Sequence, residues 1–120
     1  MHRITGLSDV VRGLAARDGV EAVLLASADG LPIDHAASVA FEPDTVAALA
    51  ATLAQHAARL GAGAGRGEFA TAVLEFAGGV VVLGRLHTGD WLAILASADA
   101  DIGPLLHDVH GHGPALAALL

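Results

Sequence analysis

Residues 68–96 read Glu68-Phe69-Ala70-Thr71-Ala72-Val73-Leu74-Glu75-Phe76, then Ala77-Gly78-Gly79, then Val80-Val81-Val82-Leu83-Gly84-Arg85-Leu86, then His87-Thr88-Gly89-Asp90, then Trp91-Leu92-Ala93-Ile94-Leu95-Ala96. The three apolar segments predict strands over Glu68–Phe76, Val80–Leu86 and Trp91–Ala96. The two glycine-bearing connections are too short for a crossover, so these strands form consecutive antiparallel hairpins. Val80-Val81-Val82-Leu83 and Leu92-Ala93-Ile94-Leu95 are unbroken apolar runs, whereas a sheet with one wet face alternates. Both faces of this sheet must therefore be covered by the rest of the chain.

Working outward, Glu21–Ser27 and Leu31–His35 read as two more strands, joined by an Ala28-Asp29-Gly30 turn. Pro32 has no N–H to give to a ladder, which places its strand at a sheet edge. Pro43, after Glu42, can open a long helix reaching about Leu60, where the Gly61–Gly67 stretch ends it. Ile4, Leu7, Val11 and Leu14 fall at helical spacing, with Asp18-Gly19 as a stop. A last helix begins near Gly103-Pro104, with Leu105, Val109, Leu116 and Leu120 on one side. Gly111, Gly113 and Pro114 predict that it kinks or breaks. The order is α-β-β-α-β-β-β-α, an α+β domain over residues 1–120 with three helices for two sheet faces.

On the second helix, Val46, Leu49, Leu53, Ala57 and Leu60 share a face that is expected to pack on the sheet. The opposite side is expected to point outward: Ala47, Ala51, Ala54 and Ala58 form a stripe bordered by Ala48, Gln55 and Arg59. Helix propensity alone can account for such a stripe. The other reading is close packing by a second helix or a partner.

Composition narrows the chemistry. Of 120 residues 54% are hydrophobic and 16% charged, which suits a globular domain rather than a disordered one. There is no cysteine, and all six basic residues are arginine, so disulfides, thiolate nucleophiles, Schiff bases and a P-loop lysine are excluded. Thirteen acidic residues leave a net charge of −7. Without a basic cluster to neutralise phosphates, nucleic acid and anionic membrane surfaces are poor partners. The first residues lack the apolar core of a signal peptide and no run is long enough for a membrane span, so the expected compartment is the cytoplasm.

Four constellations invite a chemical reading. Gly61-Ala62-Gly63-Ala64-Gly65-Arg66-Gly67 resembles a phosphate loop in composition, but it leaves a helix and enters a strand, the reverse of the order that aims helix N-terminal amides at phosphate. It reads as a connector. His107, His110 and His112, with Asp108, are the one group of metal-ligand types. Their spacing lacks a zinc signature, and solvated histidines on a helix end explain them as well. Ser27, Ser38 and Ser97 have no nucleophile-elbow context. Arg59 and Arg66 flank the end of the second helix, where they complement its dipole or, alternatively, reach a transferring phosphate in a neighbouring GTPase.

Gly19–Ile33 with its central Asp-Gly turn, the alanine-rich helix, the Glu68–Phe76 strand before Gly-Gly, and Ala96-Ser97-Ala98-Asp99-Ala100-Asp101-Ile102-Gly103 together resemble the Roadblock domain family. That family includes dynein light chains and bacterial MglB-type regulators of Ras-like GTPases. The resemblance spans nearly the whole chain, but the tail His110-Gly111-His112-Gly113-Pro114 departs from a helix usually continuous in the family, and extensions of the MglB kind are missing. The resemblance implies a five-stranded antiparallel sheet in order 2-1-5-4-3, Roadblock/profilin-like, with the middle helix on one face and the terminal helices on the other. It also implies a homodimer joined through the third strands and the paired middle helices. Ala54, Ala58, Glu68, Phe69, Thr71, Val73 and Glu75 are the expected dimer contacts, since a weakly charged edge strand without proline invites pairing. Ala47, Ala48, Ala51, Gln55 and Arg59 are the expected surface for a small Ras-like GTPase. The implied role is a non-enzymatic, cofactor-free regulator or scaffold of that GTPase. Its alternatives are a structural adaptor without effect on hydrolysis and, from another class, a small histidine-dependent metalloprotein.

Overall fold

The structure is a computed structural model that describes residues 6–120, except the side chains at 112, 113 and 115–117. The expected helix start at Ile4, Leu116 on the last helix and the His112 imidazole lie outside the described residues. The elements are α1 (Leu7–Ala15), β1 (Val20–Ala26), β2 (Pro32–Ala37), α2 (Pro43–Gly63), β3 (Thr71–Phe76), β4 (Gly79–Arg85), β5 (Trp91–Ala96) and α3 (Ile102–Leu119). The sheet runs β2-β1-β5-β4-β3 with every neighbouring pair antiparallel, as expected. β2, with Pro32, is one edge and β3 the other.

Alternation along the central strands divides the core in two. Val23, Leu25, Val82 and Ile94 project to one face, where Val11 and Leu14 of α1 and Leu105 and Val109 of α3 cover them. Leu24, Ala26, Leu83, Trp91 and Ala93 project to the other, beneath α2. The unbroken apolar run of β5 therefore lies beneath α2 on one face of the sheet, whereas β4 has α3 on one face and only the margin of α2 on the other.

The turns set how the strands are delivered. Gly30, at φ +88°, closes the β1–β2 hairpin, donating its N–H to Ser27 O at 2.9 Å while Ser27 N–H donates to Leu31 O at 2.8 Å. Asp90 links this hairpin to the β4–β5 turn: its carboxylate accepts from Ala28 N at 3.2 Å and from Thr88 Oγ1 at 2.8 Å.

Three expectations need correction. α3 is continuous through Gly111, Gly113 and Pro114. Proline removes one intrahelical hydrogen bond, but the preceding turns are held by Leu105 and Val109 in the core, and propagation from a packed nucleus continues past a single lost bond. α3 packs tightly because β4 has no side chain at Gly84, where a Cβ would lie 2.5 Å from Val109 Cγ1. β3 begins at Thr71 rather than Glu68, since Phe69 turns inward to meet Trp91, their ring centroids 5.4 Å apart.

The third correction concerns the faces of α2. Its buried residues are Ala47, Ala50, Ala51 and Ala54, whereas Leu49 is 63% and Leu60 74% exposed. The alanines face the sheet, Val46 and Leu53 pack at its margin as expected, and Leu49 and Leu60 turn away from it. The reason is space: α2 lies over β1, β2 and β5, whose upward side chains include Leu24 and Trp91, so the helix can settle only on small residues.

Candidate protein-interaction surface

Because α2 sits over the β2-β1-β5 side, the same face of β3 and β4 is left open. Val46, Leu49, Ala50 and Leu53 of α2 form one wall of a groove of about 160 Å³, and Leu74, Phe76, Val81 and Leu83 form its floor. Phe76 is 61% exposed. Val73, also exposed, lies on the opposite side of β3. Leu49 and Phe76 thus concentrate large apolar surface beside a strand whose outer backbone groups have no strand neighbour among the described residues, a combination that marks an interaction site.

The expected site residues divide by position. Ala47 is 0% and Ala51 7% exposed, both under α2 in the core, so neither can belong to an outward docking face. Ala48, Gln55 and Arg59 are exposed and lie along the α2 flank away from the groove. Ala54 is buried in the protomer, and Ala58 is exposed at the rim of a pocket of about 260 Å³ with Glu68, Phe69, Arg85 and Trp91. Glu68 is exposed and accepts from Arg85 Nη1 at 3.3 Å. Thr71, half-buried, has Oγ1 3.3 Å from His110 Nε2. Val73 and Glu75 are exposed on the edge strand.

Leu49, Leu53, Leu74 and Phe76 were missing from the expected contacts. The signal for them is an excess: α2 carries both an alanine stripe and a leucine stripe, more apolar surface than one sheet face can bury.

Electrostatics separate the arginines. Arg12 pairs with Asp9 at 3.4 Å, Arg17 with Asp108 at 3.4 Å, and Arg85 with Glu68. Among the described residues, Arg59 and Arg66 have no carboxylate partner. A cleft of about 600 Å³ between the end of α1 and the start of α3 is lined by Asp18, Asp99, Asp101 and Asp108 beside Arg17. That lining repels phosphate. Among the described residues no three His, Cys, Asp or Glu side chains converge as a metal site, and no helix is long and apolar enough to cross a membrane.

Solved structures share this architecture. A Roadblock/LC7 domain from Streptomyces avermitilis superposes with a TM-score of 0.86 at 23% identity, over 95% of this chain and 97% of that one. Myxococcus xanthus MglB superposes with a TM-score of 0.87 at 17% identity, over 98% and 97%. Myxococcus xanthus MglC is more distant, with a TM-score of 0.65 at 17% identity, over 92% and 96%. No curated protein sequence matches the chain. The likeness to these structures establishes the fold, and the sequence profile of the Roadblock/LC7 domain matches residues 7–96. From the open edge strand to the α2-covered half-sheet, the chain belongs to the Roadblock/LC7 domain family.

Proposed function

We propose that this protein is a homodimeric regulator or scaffold of a small Ras-like GTPase, acting by binding rather than by chemistry of its own. The observation that carries the reading is the half-covered sheet: the groove between α2 and β3–β4 and the unpaired edge of β3 call for a second copy. Two copies joined there extend one sheet across both and bring the Leu49 and Leu53 sides of their α2 helices together. Kinship with MglB and MglC supports a regulatory or adaptor role.

In that dimer the flank of α2 bearing Ala48, Gln55 and Arg59 stays open to a GTPase. Its small side chains let a partner approach the helix closely, and Arg59 has no carboxylate of its own to satisfy. A GTPase switch loop shifts toward whichever state such a platform binds better, so a catalytic side chain is not required.

The test is co-elution of the protein with a small GTPase loaded with a non-hydrolysable GTP analogue or with GDP. Nucleotide-dependent co-elution is expected, and its loss in Ala48→Glu with the dimer intact locates the surface. Equal binding by parent and variant places the surface elsewhere. No co-elution with any small GTPase of the same genome overturns the GTPase reading.

A further inference from the structure

The homodimer proposed above leaves its strand register open, and the backbone of β3 decides it. Arg85 N–H donates to Ala70 O at 2.9 Å, and Thr71 lies opposite Gly84 in the β3–β4 ladder. Bonded and non-bonded positions alternate in an antiparallel ladder. Ala70, Ala72, Leu74 and Phe76 therefore direct their N–H and C=O groups toward β4, while Thr71, Val73 and Glu75 direct theirs to the open edge.

A twofold axis perpendicular to the sheet keeps both α2 helices on one face. It can sit opposite any residue of β3, but only an axis at Val73 engages all three outward-facing residues. Val73 then opposes the partner's Val73, and Thr71 opposes the partner's Glu75. Moving the axis to Ala72 or Leu74 strands one of the three beyond the end of the ladder.

Directly opposed residues in such a ladder project to the same face. The face in question is the one covered by α3, because Thr71 Oγ1 lies 3.3 Å from His110 Nε2, and Glu75 is on the same face by alternation. Among the described residues, Thr71 is the hydrogen-bonding partner of His110, and no carboxylate of its own chain pairs with it. Among the described residues, the other charged or titratable side chains nearby come from three elements. From β4 comes Arg85, held by Glu68 at 3.3 Å, and from the β4–β5 turn comes His87. On α3 itself are His107 and Asp108, the latter paired with Arg17 at 3.4 Å.

We propose that the two β3 strands pair about Val73, that the partner's Glu75 joins Thr71 and His110 to form a carboxylate–histidine contact present twice in the dimer, and that the interface tightens as His110 takes up a proton. This rests on the homodimer reading. The sign follows from linkage: a carboxylate that reaches His110 only in the dimer favours its charged form there. The gain is present below the ordinary histidine range and is lost as pH rises through it.

Because the chain has no cysteine, single-cysteine variants read the register directly. Residues opposed in a bonded antiparallel pair have Cα atoms about 5.5 Å apart, within disulfide range. Val73→Cys is expected to cross-link between copies on mild oxidation, and Leu74→Cys is not. A dimer in which Leu74→Cys cross-links, or neither does, overturns the register, whereas a chain that remains monomeric overturns the homodimer reading itself.

The ion pair is tested separately by measuring dimer dissociation constants at about pH 6 and about pH 8, on either side of the histidine range. Each copy carries −7, so acidification relieves general repulsion in every variant, and the readout is the difference between proteins. The parent is expected to tighten about fivefold more than His110→Gln or Glu75→Gln, with the double variant no weaker than either single one. An equal pH response in parent and His110→Gln overturns the contact.

Discussion

At Ala51 the helix and the sheet meet through a methyl group. A Cβ built on Gly30 would lie 3.2 Å from both Ala51 Cβ and Ala48 Cα, so the β1–β2 turn and α2 are already in close contact. Ala51→Arg has neither room nor a partner there and is expected to destabilise the fold by about 3 kcal/mol or more, read as a fall in the denaturant midpoint. Ala48→Glu, three residues earlier on the open flank, is expected to change stability by less than about 0.5 kcal/mol. This contrast also marks where sequence reading runs out. Leu49 and Leu53 outrank alanine in any hydrophobicity scale, so periodicity alone turns them toward the core. What decides the matter is the height of Leu24 and Trp91 beneath the helix, and no local pattern in α2 contains that information.

The elements themselves were more legible than their orientation. Asp29-Gly30 and Gly78-Gly79 mark hairpins because the turn geometry needs positive φ, which Gly30 and Gly79 adopt at +88° and +152°. The continuity of α3 was not legible, because Pro114 is a local signal and the packing of Val109 against Gly84 is not. For α2 and β3 the test lies in substitutions that spare the protomer. Phe76→Asp and Leu49→Asp change side chains that are 61% and 63% exposed in a single copy. Each is expected to alter protomer stability by less than about 0.5 kcal/mol. Each should also weaken the dimer by about a hundredfold, as charge at the centre of an apolar interface does. Sedimentation equilibrium measures the second effect, and circular dichroism at high dilution measures the first.

For the whole molecule, coupling between folding and association predicts a thermal midpoint that depends on concentration. Raising the protein a hundredfold is expected to raise the midpoint by several degrees in the parent, since a partner that binds only the folded chain stabilises it by mass action. Phe76→Asp should show a flat response over the same range. A flat response in the parent as well would mean that the groove stays open in solution. The proposed assembly and the corrected faces of α2 rest on different kinds of signal. A weakly charged edge strand without proline can be read from β3 alone, whereas the helix face that completes the groove depends on which half of the sheet α2 covers.

The sheet order carries a consequence for how the chain acquires its shape. β1–β2 and β3–β4–β5 are each built from near neighbours, but the seam between β1 and β5 joins Val23 to Ile94 across most of the sequence. Such distant pairing is the slow, entropically costly part of folding. The glycine-rich run between α2 and β3 lies outside both local units and is exposed from Ala62 to Glu68. A chain cut there keeps each hairpin set whole, so its two fragments should regain the native state by re-knitting that seam together with the packing of α1 on α3 and of α2 on β5.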